Sequence, residues 1–597
     1  MSATTFDHTR FRPTALEARA GPEPLNAAVA FWVDILLLCV VGLLFVLTLP
    51  RILAHLSRGG GWRQGLFLRH TTPTSQSDRQ SVSSRRTLDR RSIITRTAFS
   101  SSSENEKPAP TRVQASHVRS WPMLFPRMTH VLRLPVLGHI HLGGAVICVL
   151  YFSLLLFAAL YRTSIWTNPV RAAYVAISQI PVVYLLATKN NVLGVLLGTA
   201  YDKLNYLHRF AGRLLVLAAN VHAIGMIYKY TLQGKWMHVI AETDISWGLV
   251  SLVLLDILFL FSLDVVRRRM HNLFISTHVV ASILFLVTVC LHMNAAVPYV
   301  IAGAVFYGLD RVLRILKSRI CTATLTCLPE LHTTQVHIPK LNSGWRAGQH
   351  VRLRVLSSGM GLTGWAEAHP YTIASASDGT VQGGIVLLCK KTGSWTRRLY
   401  EIAAENRRGA LGGSDVKVLV EGPYGGPGYT IPHSFSGAVF FAGGSGISYG
   451  LSGVQELLEH TKSGVGSVRC VDLVWSVHHP DCVRPILPFF AALLAESKAA
   501  DIALGISVFY TRAVTADHSF ADLELPTGLS LTPGRPDVYS ILVGLTMHAT
   551  SPRDMFIGVC GPSSLGGTVR KAVRDVDNRR IPDTVGRFHL HEEIISL

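Results

Sequence analysis

Paired cysteines are missing from this sequence. None of its nine cysteines has Cys-x-x-Cys spacing and no paired framework is evident, which excludes a zinc ribbon and a disulfide scaffold. We also expect no cleavable signal peptide, because the first 26 residues are polar and contain Arg10, Arg12 and Arg19. Acidic residues are few, with 37 Asp and Glu against 57 Lys and Arg, so the net charge is +20.

This positive charge suggests a nucleic-acid partner, but its position argues against one. Fifteen Lys and Arg against four Asp and Glu fall between Arg51 and Arg133, a stretch that separates two hydrophobic spans. Basic residues in such a place mark the cytosolic side of a membrane. Apolar residues make up 49% of the chain and the mean hydropathy is +0.32. We therefore predict a membrane protein with soluble parts, in contact with membrane lipid and not with nucleic acid.

Seven apolar stretches are long enough to cross a bilayer, which takes about 20 residues. They cover approximately residues 29–49, 138–160, 170–187, 205–228, 246–264, 273–293 and 297–314. Basic residues follow the first span, the fifth span (Arg267 to Arg269) and the seventh span (Arg311 to Arg319). All three clusters share one face if the N-terminus is outside and the C-terminus is cytosolic.

Four histidines in the fourth and sixth spans have equal spacing. His208 and His222 are 14 residues apart, and so are His278 and His292. Fourteen residues is nearly four helical turns, or about 21 Å, so each pair lies on one helix face near the two edges of a membrane. Neutral imidazole suits iron, and a haem takes one axial ligand from each side. The spacing predicts that His208 with His278 and His222 with His292 hold two haems.

The stretch from about residue 57 to 120 is rich in Ser, Arg and Thr and poor in aromatics. Such a composition buries too little apolar area to fold, so we predict a disordered cytosolic loop. Arg85-Arg86-Thr87 and Arg90-Arg91-Ser92 within it are candidate kinase or lipid-contacting clusters, or simply part of a solvated basic loop that fixes topology.

After Ile320 the pattern changes to short strands broken by Gly, Pro and Asn, which predicts a small antiparallel barrel. From about Ser436 it changes again to strand, glycine turn and helix, the start of an open parallel α/β sheet. Gly443-Gly444-Ser445-Gly446-Ile447-Ser448 lies at such a turn, where backbone N–H groups and a helix N-terminus can stabilise a phosphate. A purely structural glycine turn is an equal alternative on this motif alone.

Three further motifs accompany the glycine turn. The first is His369-Pro370-Tyr371-Thr372 on a barrel strand, and the second is Glu421-Gly422-Pro423-Tyr424-Gly425 at the end of the barrel. The third is Cys560-Gly561-Pro562 at the end of a late strand. In this order, behind two helices that each carry a His-x13-His pair, these motifs resemble the fungal ferric reductases, membrane metalloreductases related to NADPH oxidases. The resemblance covers approximately residues 138–597.

The resemblance implies a multi-pass α-helical membrane domain with two haems, followed by a ferredoxin-reductase-like module. That module would comprise a β-barrel FAD domain and an α/β nucleotide-binding domain. The implied boundaries are residues 1–26 for an extracellular N-terminus, 27–50 for the first span, 51–135 for a basic cytosolic linker, 136–317 for the six-span haem domain, 318–432 for the FAD barrel and 433–597 for the NADPH domain.

The resemblance also implies roles for individual residues. Tyr371 would stack on the flavin, Thr372 would bond near its ring, and His369 with Pro370 would help to position it. Lys391, Gly393 and Thr396 belong to a segment that would hold the FAD pyrophosphate. The NADPH phosphates would lie on Gly443, Gly444, Gly446 and Ser448, Arg535 would meet the adenosine phosphate, and Cys560, Gly561 and Pro562 would lie beside the nicotinamide.

The expected activity is transmembrane electron transfer from cytosolic NADPH through FAD and two b-type haems to extracellular Fe³⁺ chelates, or Cu²⁺. No residue acts as an acid or base; the chain relays electrons through its cofactors. The expected location is the plasma membrane, with C-terminal domains in the cytosol and a multicopper ferroxidase and an iron permease acting downstream. The alternatives are a superoxide-forming oxidase, whose relatives shorten the second histidine gap by one residue, and a non-catalytic membrane scaffold.

Two departures from the family pattern stand out. Relatives end in an aromatic residue over the flavin, whereas this chain ends Ile594-Ile595-Ser596-Leu597. His478-His479 follow a strand where an arginine that selects NADPH over NADH was expected. The resemblance implies a nicotinamide cofactor, and this second departure concerns the choice of NADPH over NADH.

Overall fold

The computed structural model describes residues 23–57, 64–71, 118–137, 140–379, 383–407, 414–512, 524–548, 554–579 and 586–594. The chain divides into two compact units, of which the first combines Met1–Leu49 with Val131–Leu313. The second combines Pro50–His130 with Arg314–Leu597. The arginine clusters at 85–92, Arg10, Arg12, Arg19 and the C-terminal Leu597 all lie outside the described residues.

The helices of the described residues follow in chain order. They are α1 (Glu23–Leu56), α2 (Trp121–Leu124), α3 (Pro126–Leu132), α4 (Leu142–Leu160), α5 (Val170–Ser178), α6 (Ile180–Ala187), α7 (Val192–Leu197), α8 (Tyr201–Leu232), α9 (Trp236–Val239), α10 (Thr243–Phe261), α11 (Asp264–Arg269), α12 (His271–His292), α13 (Val297–Leu316), α14 (Gly361–Gly364), α15 (Ser394–Arg407), α16 (Ile447–Lys462), α17 (Leu487–Ala499), α18 (Val538–His548) and α19 (Ser563–Arg579).

The strands of the same residues fall mainly in the second unit. They are β1 (Pro135–Leu137), β2 (Ile140–His141), β3 (Ser318–Leu328), β4 (Thr333–Ile338), β5 (Gln349–Val355), β6 (His369–Thr372), β7 (Ile385–Lys390), β8 (Ser414–Gly425), β9 (Gly437–Gly443), β10 (Cys470–Val477), β11 (Ala503–Tyr510), β12 (Leu529–Pro533), β13 (Met555–Gly561) and β14 (Phe588–Ile594).

The first unit contains the membrane-spanning part of the chain. Seven helices among the described residues are long and apolar enough to cross a bilayer, which confirms the predicted number of spans. The third span consists of α5 and α6, which meet at Gln179 next to Pro181. Helix α1 is longer than predicted. It continues through Pro50 to Leu56, so the first turns assigned to the linker are helical.

Two polar contacts join helices inside the bundle. Asp256, in the middle of α10, accepts a hydrogen bond from the side-chain amide of Asn220 in α8 at 2.9 Å. The buried Arg171 donates from Nε to Asn26 Oδ1 at 2.7 Å, which joins α5 to α1. Polar groups in such a setting are costly unless they are paired, and these pairs fix the packing of the helices.

The second unit begins with a closed antiparallel barrel, as predicted. Its strand order is β6-β5-β8-β3-β4-β7, and a bridge between Ile373 and Leu387 joins the two ends of the sheet. Alternate residues of β4 and β5 point inward, so Val336, Val351 and Leu353 are fully buried. The interior is filled by side chains, with Trp345 as its largest member.

A parallel six-stranded sheet follows, in the order β12-β11-β10-β9-β13-β14. Every pairing is parallel, which confirms the predicted α/β architecture. Strand β9 reads Gly-Ala-Val-Phe-Phe-Ala-Gly and is buried on both faces, the composition typical of a central parallel strand.

A buried set of polar contacts joins the barrel to the parallel sheet. The Arg346 guanidinium, 8% exposed, donates to the carbonyls of Gly428 and Thr430 in the connection between the two folds. The Ala347 N–H donates to Glu456 Oε2 on α16. These contacts replace water for groups that would otherwise be buried without partners, so the two folds share one polar core.

The linker prediction is wrong for the parts of this stretch that the structure describes. Residues 64–71 lie against the barrel, and Leu68 is only 3% exposed there. Residues 118–130 lie against the parallel sheet, where Met123 is 1% exposed and Ser120 Oγ contacts His589 Nδ1 of β14 at 3.0 Å. The remaining linker residues, 58–63 and 72–117, lie outside the described residues.

Candidate functional site

The two histidine pairs predicted from spacing face each other in the structure. The ring centres of His208 and His278 are 6.3 Å apart, and those of His222 and His292 are 6.4 Å apart. Helices α8 and α12 therefore present two matched pairs of imidazoles at two levels.

Each of the four rings is held by a hydrogen bond at Nδ1. His208 contacts the Val183 carbonyl at 3.0 Å, His222 contacts the Pro169 carbonyl at 3.0 Å, and His292 contacts the Asp244 carbonyl at 2.8 Å; His278 contacts Ser262 Oγ at 3.0 Å. A carbonyl oxygen only accepts, so Nδ1 carries the proton in the first three rings. That tautomer leaves Nε2 with a free electron pair, the arrangement of a metal-binding histidine.

The spacing of the rings fits a bis-imidazole iron site. An imidazole nitrogen bonds a metal at about 2 Å and lies about 1 Å from its ring centre, so two axial imidazoles on one iron have ring centres about 6 Å apart. Gly212, one turn after His208, is also compatible with a flat group, because a Cβ there would meet no atom within 4 Å. Among the described residues, no group of three or more His, Cys, Asp or Glu could hold a metal ion.

Sequence reasoning missed two glycines that place these rings. A Cβ at Gly248 of α10 would lie 2.6 Å from the His292 ring, and one at Gly225 of α8 would lie 2.6 Å from Pro169. Gly225 thus allows the close approach that brings the Pro169 carbonyl to His222. A signal was present in the sequence, because a glycine inside a helix usually has a packing reason.

The His369-Pro370-Tyr371-Thr372 motif forms β6, as predicted. Its His369 and Tyr371 rings pack on Trp395, with ring-centre distances of 4.4 and 6.2 Å. Burial, followed by the neighbouring Cys389 thiol, raises the pKa of the Tyr371 phenol, which therefore stays neutral at neutral pH. Pro370 is exposed, and Thr372 is half-buried.

The segment Lys391 to Thr396 closes on itself at the start of α15. Thr396 Oγ1 accepts from the N–H groups of Thr392 and Gly393, each at 2.9 Å, so this hydroxyl caps the turn. The Lys391 ammonium lies 4.6 Å from the Tyr400 ring centre. Sequence reasoning assigned no role to Trp395, which is buried and packs against the rings of His369 and Tyr371.

The glycine turn and the Cys560-Gly561-Pro562 motif meet because β9 and β13 are neighbours. A Cβ at Gly446 would lie 2.1 Å from the Cys560 carbonyl oxygen, and one at Gly443 would lie 2.8 Å from Pro562 Cδ. Gly444 is exposed, has φ of +54° and would meet no atom with a Cβ. Gly444 therefore leaves an open backbone surface at the carboxyl edge of the sheet, the place where parallel α/β sheets bind ligands.

The side chains of this turn are less available than the backbone. Ser448 is buried and donates to the Ser445 carbonyl at 3.3 Å. Cys560 is 2% exposed, and burial, followed by the charge of Glu593, raises the pKa of its thiol. The thiol is therefore protonated, and the binding surface at this point is the backbone.

Arg535 follows β12 at the same edge of the sheet and is exposed. Sequence reasoning missed Arg512, which follows β11. Its N–H donates to the His478 carbonyl at 3.0 Å, and its guanidinium lies 3.4 Å from His479 Nε2. The edge thus carries a basic cluster even though no arginine stands at position 478.

Comparison with known proteins agrees with this architecture. Residues 172–289 match the model of the ferric reductase like transmembrane component, residues 318–428 match an FAD-binding domain, and residues 435–574 match the ferric reductase NAD binding domain. These three matches span more than half of the chain, in the order found in the structure. The chain belongs to the fungal ferric reductase family.

Two members of this family show the extent of the likeness. Ferric reductase transmembrane component 6 of Saccharomyces cerevisiae is 26% identical over 432 residues, which are 68% of this chain and 57% of that protein. Ferric reductase transmembrane component 1 of Schizosaccharomyces pombe is 26% identical over 454 residues, which are 69% of this chain and 77% of that protein. The chain spans about half the length of several curated ferric reductases that it matches.

Among solved structures, a cytochrome P450 reductase from Amycolatopsis aligns with a TM-score of 0.30 and 20% identity. The alignment covers 47% of this chain and 71% of that one.

The Glu421-Gly-Pro-Tyr-Gly motif of this family member carries a buried ion pair. Arg314 donates to both Glu421 oxygens, at 2.7 and 3.0 Å, and the Tyr424 hydroxyl donates to Oε1 at 3.0 Å. Burial alone would raise the pKa of Glu421, but the hydrogen bonds and charge of Arg314, with Arg352 and Tyr424, outweigh it and lower the pKa. The carboxylate is therefore ionised across the physiological range.

This pair predicts a pH-dependent part of the folding stability. Because the pKa in the folded state is depressed, the stabilisation is complete above the unfolded value of about 4.3 and is lost as the pH falls through the folded value. Glu421→Gln should remove it and lower the free energy of unfolding by about 3 kcal/mol at neutral pH, because Arg314 loses its charged partner. Thermal unfolding of the full chain between pH 3 and pH 7 measures both effects.

The matched control is Asp481→Asn, which removes the exposed ion pair between Asp481 and Arg484. Exposed pairs contribute about 0–1 kcal/mol, so this variant should unfold like the unmodified protein. Equal losses in the two variants would contradict the special role of Glu421.

Proposed function

We propose that this protein is a plasma-membrane ferric-chelate reductase that carries electrons from cytosolic NADPH to extracellular Fe³⁺ chelates, or Cu²⁺. The observation that carries the proposal is the pair of facing imidazole sets, each with its Nδ1 groups engaged and its ring centres at the separation of a bis-imidazole iron. The relatives described above include ferric and ferric/cupric reductases, which supports the same substrate class.

His208 with His278, and His222 with His292, are the residues that would hold two b-type haems. A flavin held by the second unit would supply the conversion between two-electron and one-electron transfer that a nicotinamide donor and a haem acceptor require. The chain itself supplies ring orientation through Val183, Pro169, Ser262 and Asp244, as described above. Fixed acceptors of this kind orient the rings and would raise the basicity of the free nitrogen, Nε2.

The proposed flavin site is formed by His369, Pro370, Tyr371 and Thr372, with Lys391, Gly393 and Thr396 at the pyrophosphate. Support comes from the aromatic stack on Trp395, which holds Tyr371 as a flat and neutral surface. The hydroxyl of Thr396 shapes the turn, so the anion would meet the turn through its backbone and through Lys391.

Tyr371→Ala should lower the FAD content of the purified protein while both haems stay, because the mutation removes the aromatic face and leaves the spans untouched. Bound FAD is measured by fluorescence after denaturation, and haem by its absorbance in the same sample. Tyr371→Phe keeps the ring and should retain FAD. Full FAD content in Tyr371→Ala would place the flavin elsewhere.

The proposed NADPH site comprises Gly443, Gly444, Gly446 and Ser448, with Cys560, Gly561 and Pro562 at the nicotinamide and Arg535 at the adenosine phosphate. The open backbone at Gly444 supports phosphate binding at the turn. The basic cluster of Arg512 with His478 and His479 supports NADPH over NADH, because a further phosphate is favoured by positive charge.

Lys and Arg clusters around the spans support a cytosolic location for the C-terminal domains and an outside location for the N-terminus. Electrons would then leave on the outer face, where a multicopper ferroxidase and an iron permease use the reduced metal. The name of one relative, a probable cell surface ferric reductase of Aspergillus oryzae, supports the plasma membrane.

The two histidine levels are nearly identical, with ring separations of 6.3 and 6.4 Å. This symmetry favours direct reduction of an outer metal chelate over superoxide formation. Whole cells that express the protein should reduce extracellular Fe³⁺ chelates at a rate that superoxide dismutase leaves unchanged. Loss of the signal with dismutase would identify superoxide as the product, and cells without the gene give the background.

A further inference from the structure

Residues 64–71 of the basic linker form a docked segment on the barrel. The Arg69 N–H donates to the Ser343 carbonyl at 2.8 Å, and the Gly65 N–H donates to the Gly344 carbonyl at 3.0 Å. Leu68 is 3% exposed and belongs to the barrel core. Proteins bind extended peptides through backbone hydrogen bonds and pockets for side chains. The barrel binds residues 64–71 in the same way, with Leu68 as the buried apolar side chain.

The barrel surface is shaped for this segment. Gly344 has φ of +106°, and a Cβ there would lie 2.1 Å from the Phe67 carbonyl oxygen, so only glycine permits the approach. Asn342 binds the C-terminal end of the segment through two hydrogen bonds. Its Oδ1 accepts from the Thr71 N–H at 2.8 Å, and its Nδ2 donates to the Thr71 carbonyl at 2.6 Å.

The Thr71 hydroxyl is the exposed end of this contact. It lies 3.1 Å from Asn342 Oδ1 and 3.4 Å from Asp378 Oδ1, and both atoms are acceptors. The hydroxyl therefore acts as a donor here, and its single proton serves one of these oxygens at a time. Thr71 is exposed and follows Arg69-His70, so a kinase that selects basic residues before its target has access to it.

We propose that Thr71 is a phosphorylation site that releases the docked segment. A kinase would transfer the terminal phosphoryl group of a nucleoside triphosphate to Thr71 Oγ1. An O–P bond forms, the bond to the nucleoside diphosphate breaks, and the hydroxyl proton passes to the kinase. In the phosphorylated residue, Oγ1 no longer has a proton to donate to Asn342 or Asp378. The phosphate also places negative charge beside the Asp378 carboxylate, and the two negative groups repel each other.

Release of residues 64–71 would affect the nucleotide-binding fold through the barrel loop at Arg346–Gln349. The Gln349 amide donates to the Gly65 carbonyl at 3.1 Å, and its Oε1 accepts from the Arg346 N–H at 2.9 Å. The next residue, Ala347, donates to Glu456 on α16. The docked segment thus stabilises the barrel loop at Arg346–Gln349. This loop contacts α16, the helix after the glycine turn, through the Ala347 hydrogen bond. Given the proposed function, its release should slow the reduction of the flavin by NADPH.

The test uses the full chain in detergent. Thr71→Glu imitates the charge, Thr71→Val is the matched control without charge, and Leu68→Asp removes the apolar anchor and serves as the reference for release. Hydrogen exchange of residues 64–71 and 340–349 reports docking, and stopped-flow bleaching of the flavin reports its reduction by NADPH. A basophilic kinase with Mg-ATP, followed by peptide mass analysis, reports whether Thr71 is modified.

We expect exchange at Arg69 and Ser343 to be about tenfold faster or more in Thr71→Glu and in Leu68→Asp than in Thr71→Val, the factor that corresponds to loss of about one hydrogen bond. Flavin bleaching should slow several-fold in the same two variants. Unchanged exchange in Thr71→Glu, unchanged bleaching despite faster exchange, or no phosphate on Thr71 would each overturn the proposal. The hydrogen-exchange and phosphorylation measurements require neither iron nor haem. They therefore test this proposal even if the whole-cell assay shows no reduction of iron.

Discussion

Replacing His208 or His278 by Ala should halve the haem content of the purified protein and abolish iron reduction by whole cells. Each imidazole faces one partner across about 6 Å, and no other described residue in the bundle completes a metal-binding group. Loss of one ring would therefore leave a single imidazole at that level to hold the haem. The reduced-minus-oxidised spectrum should show one low-spin b-type haem in place of two.

His222→Ala and His292→Ala should remove the other haem with the same effect on iron reduction. His238→Ala is the matched control, because that side chain is 88% exposed on α9 and should leave both haems. FAD content should stay constant in all five variants, since the flavin motif lies in the second unit. Two haems per chain in any of the four ligand variants would remove that histidine from the site.

Gly446→Ala should abolish NADPH oxidation, whereas Gly444→Ala should leave it measurable. A Cβ at Gly446 would lie 2.1 Å from the Cys560 carbonyl oxygen and 3.2 Å from the Gly561 nitrogen, and backbone atoms of a central strand cannot move aside cheaply. The turn must therefore separate from β13. Steady-state oxidation of NADPH with an artificial electron acceptor measures the effect.

Gly444→Ala is the informative control for this position. Its Cβ would meet no protein atom, so the protein should fold, and the φ of +54° adds only a modest cost. A methyl group on the open side of the turn should instead raise the KM for NADPH by hindering approach of the phosphate. Equal kinetics in Gly444→Ala and the unmodified protein would show that the phosphates lie elsewhere.

The sequence predicts the fold most accurately where one local property of the chain, such as length, hydropathy or periodicity, determines the structure. Seven spans follow from length and hydropathy alone, since the bilayer requires about 20 apolar residues whatever the neighbours are. The histidine pairs were predictable for the same reason, because helix periodicity fixes where residues 14 apart must point. The strands of the barrel and parallel sheet also agree with their patterns of alternation and burial.

Prediction failed where a contact depends on distant residues. Leu66-Phe67-Leu68 is a run of three apolar residues in a polar linker, too short to show periodicity, and its partner surface at Ser343 is more than 270 residues away. The role of Trp395 was missed for a similar reason. Its neighbours in sequence describe a turn, whereas its neighbours in space are the rings of His369 and Tyr371. Local composition does not record either contact.

The buried Arg346 has a consequence for how the second unit melts. Its guanidinium belongs to the barrel loop, yet its partners are carbonyls of the connection to the parallel sheet, and the adjacent Ala347 N–H reaches α16. If one of the two folds unfolded alone, the other would retain a buried Arg346 guanidinium or Glu456 carboxylate without its hydrogen-bond partner, which is energetically costly. The two nucleotide-binding folds should therefore behave as one cooperative unit, with a single calorimetric transition and no half-folded state for a protease to capture.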